Sequence, residues 1–303
     1  MTYAIVVAVT AILMASVVVS LNLTAGYAGQ PNLAQSAFFG LGAYFAAVLS
    51  VEHGMSFWSV LPVAALVAGL AGAVLGAISL RLREDFFAIT TVGLNFVVVA
   101  LFKSVDFFGG ATGIYGLPLP VLGSTAFTND HFLVLSVVLL AVVVLVARIV
   151  RDSWYGGMLM AIREDELVAA SLGAPVALFK ASAFALSSLL AGVVGAVYAF
   201  FISSITPETF GFNQSVLLLS MLIIGGMGTI RGAIVGAVLL TLVPELFRFA
   251  SDYRNLVYGV FLVLVLRFQP QGLVGDDSWL ARGVSGLLRR PSPSLPTPKE
   301  VAR

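Results

Sequence analysis

The residues able to do bond-breaking chemistry are scarce and badly spaced. Cysteine is absent from the 303-residue chain, which removes thiolate metal sites, disulfides and cysteine nucleophiles. The two histidines, His53 and His131, lie far apart and belong to no HExxH-like spacing, so a zinc or iron enzyme is not expected. Serine and threonine are plentiful but have no neighbouring histidine base, and a membrane enzyme would need a nucleophile–base pair or metal cluster. No GxxxxGK[ST] loop and no Gly-Lys pair occurs, so the chain has no P-loop for ATP.

What does stand out is polarity inside an apolar background. The chain is 59% hydrophobic and 10% charged, whereas soluble domains run near 25% charged. A bilayer core about 30 Å thick needs roughly 20 apolar residues per helix. Windows of that kind fall near Ala4–Leu21, Leu33–Ser50, Phe57–Leu80, Phe86–Val105, Phe132–Ala147, Ala181–Ser203, Ser215–Gly228, Ala233–Phe249 and Leu256–Phe268. The expected fold is an all-α polytopic membrane protein with about 8–10 transmembrane helices, some broken, and a short cytoplasmic coupling helix. The first window lacks a basic n-region and a cleavage site, and reads as a span. Residues 1–275 form the membrane domain; residues 276–303, rich in Ser, Pro and Arg, read as a disordered cytoplasmic tail. The net charge of +1 suggests no nucleic-acid partner.

Lys and Arg excess marks cytoplasmic ends. Placing Arg81, Arg83, Arg148, Arg151, Arg163, Lys180, Arg231 and Arg267 inside puts the 106–131 connection and the 204–213 turn outside. Lys103 and Arg254 are exceptions, each near an acid, Asp106 and Asp252. The first eighty residues carry no Lys or Arg, so their orientation depends on residues 22–32. A loop there sends the start of the chain outside; a break within the membrane shifts the count by one.

Four stretches interrupt the apolar pattern. In the first, Asn22 to Asn32 with Gln35 beyond, Gly26, Gly29 and Pro31 disfavour a helix interior. It reads either as a surface loop or as an unwound helix lining a polar path, with Asn22, Gly26, Tyr27, Gly29, Gln30 and Gln35 as path residues. In the second, Thr91 and Asn95 share a helix face at i,i+4, and could line the same path or hydrogen-bond between helices. In the third, Gly228, Gly232 and Gly236 repeat every four residues, a small-residue face for close helix packing. The fourth lies between Arg148 and Lys180. Asp165 is a fitting N-cap, and Gly173 followed by Pro175 a fitting stop, for a helix of about seven residues. Too short to span, it suits docking into a partner's groove.

Together these stretches resemble the permease subunits of high-affinity branched-chain amino-acid ABC importers, of the LivM type, from about Leu21 to Leu273. Asn22-Leu, Gly26-Tyr-Ala-Gly-Gln30 and Ala37-Phe-Phe-Gly-Leu-Gly-Ala-Tyr44 look like its N-terminal signature. Ala161-Ile-Arg-Glu-Asp-Glu166 through Ala169, Ala170 and Gly173 looks like its coupling loop. Pro207-Glu208, Gly225-Gly226, Pro244-Glu245 and Gln269-Pro-Gln-Gly-Leu273 match its second half. The chain departs from the pattern at Pro31-Asn32, Gln35 and Leu94-Asn95, where substrate or helix packing is sensed.

The resemblance implies a heterodimer with a second permease, two cytoplasmic ATPase subunits and an extracytoplasmic solute-binding protein. All would work in a bacterial or archaeal cytoplasmic membrane. ATP and Mg would be bound by the ATPases, with no cofactor in this chain. It assigns ATPase coupling to Arg163, Glu164, Asp165, Glu166, Leu167, Ala169, Ala170 and Gly173, with Leu167, Val168 and Leu172 filling the groove. Related permeases carry urea, short amides or other amino acids. An ion-coupled secondary transporter is the rival class; it should hold carboxylates near the bilayer midplane, and none stands out.

Overall fold

The computed structural model describes residues 2–79, 84–122, 125–246 and 273. The ninth window, the tail, the 269–272 motif, and Arg81, Arg83, Arg254 and Arg267 lie outside the described residues. Each of the first eight windows falls on one helix. In chain order these are α1 (Thr2–Leu21), α2 (Gln35–Val51), α3 (Phe57–Ser79), α4 (Glu84–Ser104), α5 (Asn129–Asp152), α8 (Val176–Ile202), α9 (Phe212–Gly225) and α10 (Ile230–Leu246). Two short helices, α6 (Trp154–Glu164) and α7 (Glu166–Ser171), sit between α5 and α8. Among the described residues six helices are long and apolar enough to cross a membrane, and α2 and α10 are shorter apolar ones. The protein is an all-α polytopic membrane protein.

The chain direction sorts the bundle into two ends. At one, strand β1 (Ile114–Tyr115) pairs antiparallel with β4 (Ser204–Ile205), while β2 (Val121–Leu122) pairs with β3 (Thr125–Ala126). The connection after α4 and the turn after α8 therefore share one end, as the charge pattern required. Lys103 does not pair with Asp106 as its proximity in sequence suggested; its Nζ meets Glu208 Oε1 at 3.0 Å across that end. The opposite end carries α6, α7 and the turn between α9 and α10.

Helix α2 is the central post. It is buried nearly all round. It packs along both α8 and α3, which also pack on each other, and glycines make these approaches possible. A Cβ on Gly42 would stand 2.1 Å from the Gly192 carbonyl oxygen, and one on Gly195 would stand 2.0 Å from that of Phe39. On α3, Gly72 and Gly76 meet Ser188 and Ala181 of α8 in the same way. Small residues are the main means of tight packing where lipid removes the hydrophobic drive. The outer face is the reverse: Val134, Val138, Val142, Leu145 and Ile149 of α5 form an exposed apolar stripe, and Leu66, Leu70 and Val74 do so on α3. In water such stripes would aggregate; in a bilayer they are the solvated surface.

Two expectations need correction. Residues 22–32 are not a surface loop, and the helix unwinds only beyond Tyr27, over residues 28–32. Asn22–Tyr27 continues α1 as a wide π-helical turn, all of it buried. The widening is visible in the bonds Ala28 N–H to Leu23 O (3.3 Å) and Gln30 N–H to Thr24 O (3.0 Å). The chain then reverses into α2, so α1 runs toward the α7 end and α2 away from it. The reversal is possible inside the protein because its backbone groups find partners there, as the Leu33 N–H does at Thr91 Oγ1.

The second correction concerns Gly228. Gly232 and Gly236 do pack closely, against the Gly225 and Met221 carbonyls. Gly228 sits outside that face, in a turn at φ +86°, and serves the first stretch instead.

Candidate functional site

The short helix α7 is built from local signals. Asp165 adopts an extended conformation, and its Oδ1 accepts the Val168 N–H at 3.0 Å, satisfying one of the free donors of the first turn. Gly173 closes the helix at φ +86°, its N–H bonding Ala170 O at 2.9 Å. The helix is six residues long.

Its sides differ. Ala169 is buried, whereas Leu167 is 80% and Leu172 84% exposed, with Val168 beside them at 54%. Glu164, Asp165 and Ala170 are also exposed. Glu166 faces the bundle, and its carboxylate pairs with Lys180 Nζ; the lysine side chain is 6% accessible. Arg163, in the last turn of α6, sends its guanidinium to the Gly26 carbonyl oxygen of the π-helical turn. Helix α6 is itself fastened to α8: the Tyr155 hydroxyl lies 2.6 Å from Ser182 Oγ, and the Tyr155 ring stacks on Phe179 at 5.2 Å. Burial pushes the Tyr155 phenol above its ordinary pKa, so it stays a neutral donor.

The polar residues of the first two stretches form four groups. Gln35 bridges Asn32 and Ser20, accepting from Asn32 Nδ2 (2.8 Å) and donating to Ser20 Oγ (2.9 Å), while Ser187 of α8 donates to Ser20 O (2.7 Å). Asn95 Nδ2 donates to Ser36 Oγ (2.7 Å), which lies 2.6 Å from Ser215 Oγ of α9. Thr91, one turn before Asn95 and equally buried, accepts the Leu33 N–H at 3.2 Å. Asn22 Oδ1 accepts the Gly228 N–H at 2.9 Å.

A Cβ on Gly26 would lie 1.8 Å from Asn22 Oδ1 and 2.8 Å from the Gly228 backbone nitrogen, so a side chain there would displace the turn. Gly29, at φ +69°, stands against the stem of Arg163. Gln30 Oε1 is buried without a hydrogen-bond partner, and the Tyr27 hydroxyl lies against the Asn22 side chain.

A cleft of 740 Å³ opens elsewhere, between α1, α9 and α10. Met14, Leu217 and Leu240 give it an apolar wall, while Thr10, Gln214 and Thr241 give it polar points, and Glu208 places it toward the β end. The eight path residues expected from the sequence are not among those lining it. Thr10 and Thr241 were missed because a single polar residue on an apolar helix has no spacing signature, and Gln214 because the polar run Asn213-Gln214-Ser215 at a helix start reads as a span end. Only the convergence of three helices brings them together.

Accessibility tests this distinction. Because the chain has no cysteine, a Gln214→Cys variant carries the single thiol. It is expected to react with a water-soluble maleimide at least about tenfold faster than Asn95→Cys, whose site is fully buried. Equal rates in membrane vesicles would show the cleft to be closed to water.

Residues 3–266 match the family model for the branched-chain amino acid transport system / permease component. The chain is 34% identical over 280 residues to the high-affinity branched-chain amino acid transport system permease protein LivM of Escherichia coli, covering 84% of this chain and 66% of that protein. It is 22% identical over 306 residues to a probable LivM permease protein of Methanocaldococcus jannaschii, covering 85% of this chain and 89% of that one. A LivH permease protein of Escherichia coli is 29% identical over 128 residues, 42% of this chain and 41% of its own. The alignment to the Escherichia coli LivM thus spans just under two thirds of that relative's length. No solved structure matches the chain. With a membrane bundle matched almost throughout its described length, the chain belongs to the permease component family of branched-chain amino acid transport systems.

Proposed function

We propose that this chain is a permease subunit of an ABC importer that carries branched-chain amino acids inward across the cytoplasmic membrane of a bacterium or archaeon. It pairs with a second permease, receives solute from an extracytoplasmic binding protein, and is driven by ATP hydrolysed, with Mg, in two cytoplasmic ATPase subunits. The observation that carries this reading is α7: a capped helix at one end of the bundle with Leu167, Val168 and Leu172 turned outward. Three exposed apolar side chains on a helix and its C-cap, held by an inward ion pair, suit a partner's groove. The chain itself has no nucleotide motif.

The cleft is the proposed half of the solute path that this chain contributes, the second permease completing it. Its volume of 740 Å³ lies within the range of small-molecule sites. Apolar walls of Met14, Leu217 and Leu240 suit an aliphatic side chain, and Gln214 with the two threonines suits its ammonium and carboxylate ends. That lining favours a branched-chain amino acid over urea or a short amide, which would leave the apolar wall unused.

The test is reconstitution. The chain co-purified with its permease partner and ATPases in proteoliposomes should take up labelled leucine on addition of ATP and loaded binding protein. It should take up none with an ion gradient alone. Gradient-driven uptake by the chain without ATPases would overturn the reading in favour of a secondary transporter.

A further inference from the structure

We propose that Arg163 is a latch: a positioning residue that carries the displacement of α7 into the π-helical turn Asn22–Tyr27 and so controls an inner gate. The inference rests on the reading of the chain as an ATP-driven permease subunit. It differs from the role assigned to Arg163 by resemblance, which directs its charge at an ATPase.

Arg163 is the penultimate residue of α6 and stands three residues before the start of α7, so a movement of α7 is passed to it through the single linking residue Asp165 and Glu164. Its guanidinium does not meet a carboxylate; Nη1 donates to the Gly26 backbone carbonyl, 137 residues away in sequence. Room for it is made by two glycines. A Cβ on Gly29 would lie 2.6 Å from Arg163 Cγ, and one on Gly228 would lie 3.1 Å from Arg163 Nη1. Gly228 in turn donates its N–H to Asn22 Oδ1 at 2.9 Å. One side chain from the coupling region thus reaches the junction of α1 with α2 and the turn between α9 and α10.

The element it grips is suited to change. A π-helical turn is a local departure from the regular helix, rarely kept without a functional reason. This one holds the Asn22 amide, the Tyr27 hydroxyl and Gln30 Oε1 in the interior, the hydroxyl against the Asn22 side chain and Gln30 Oε1 with no partner, at a cost in free energy that another conformation or entering water recovers. Releasing the Arg163–Gly26 bond lets the turn rewind or open, and exposes those three groups to the inner side. The same movement pulls on α9, which walls the cleft. Small shifts of a packed element are converted to discrete rearrangements because such packing has few alternatives.

Two measurements on the full importer in proteoliposomes test the latch. In Arg163→Ala, solute moved per ATP hydrolysed is expected to fall at least about tenfold, and in Arg163→Lys by less, because lysine keeps one donor on a flexible stem. A single thiol placed by Ala28→Cys, beside the turn, should change its maleimide reactivity between nucleotide-free and ATP-vanadate states when Arg163 is present. In Arg163→Ala it should lose that dependence.

Should the alanine variant fail to assemble with the ATPases, Arg163→Gln takes its place in both measurements. An unaltered transport-to-hydrolysis ratio, or nucleotide-dependent labelling that survives loss of Arg163, overturns the latch. Absence of ATP-driven uptake in the unsubstituted importer would instead strike the transport reading on which the latch rests.

Discussion

Glu166→Lys is expected to reduce ATP-driven uptake by more than about thirtyfold while the chain still inserts into the membrane. The reason lies at Lys180, whose side chain is 6% accessible and whose ammonium is paired with Glu166. Removing one member of a fully buried pair costs about 3–5 kcal/mol, because the other charge is left unpaired. Glu166 is itself 41% accessible, so solvent screening lowers the figure to about 2 kcal/mol. That is close to thirtyfold in the equilibrium constant between docked and displaced α7. A lysine at 166 adds repulsion to the loss.

Uptake and ATP hydrolysis are read together, since hydrolysis that continues without uptake is the signature of a displaced coupler. The exchange of charges in Glu166→Lys with Lys180→Glu should recover part of the uptake. Uptake at the unsubstituted level in the single variant would remove the ion pair from the mechanism.

Glu166 also shows where sequence and structure part company. The existence of α7 was legible from local chemistry: an N-cap at Asp165, a stop at Gly173 and a following Pro175 act within a few residues of the helix they bound. The membrane helices were legible for a similar reason, since an apolar run of bilayer length announces itself.

Which way the charges of the α7 region point was not legible. Glu166 and Lys180 are 14 residues apart and separated by a helix stop, and Arg163 reaches a carbonyl 137 residues back. A sequence of charges beside a docking helix looks the same whether it faces a partner or its own bundle. Gly228 misled for the opposite reason: a perfect four-residue repeat with Gly232 and Gly236 concealed its turn conformation at φ +86°. The cleft needed three helices to converge, and no one of them carries its signature. Likewise nothing in the composition of α2 separates a central helix from a lipid-facing one. That follows from Gly42 and from its partners on α8.

Two glycine-to-alanine changes, alike in composition, should therefore have opposite outcomes. At Gly93, inside α4, an added Cβ meets nothing within 4 Å. Alanine there removes the conformational cost of a helical glycine, and should be neutral or stabilise by up to about 1 kcal/mol. At Gly42 the same methyl would stand 2.1 Å from the Gly192 carbonyl oxygen and 2.4 Å from its Cα.

Those are backbone atoms of α8, so no side chain can swing aside, and α2 must separate from α8 along their contact. Gly195, facing Phe39 O at 2.0 Å, lies on that same contact and would lose its fit. Gln35–Ser20–Ser187, which ties the lower part of α2 to α1 and α8, depends on this approach as well. Overpacking of this kind costs on the order of 3 kcal/mol where nothing can yield, enough to deplete a marginally stable fold. Gly42→Ala should yield little monodisperse protein in detergent and lower the midpoint of thermal aggregation, whereas Gly93→Ala should leave both unchanged or raised. A Gly42→Ala protein as stable as its Gly93 counterpart would mean that α2 does not stand against α8 as closely as its glycines imply.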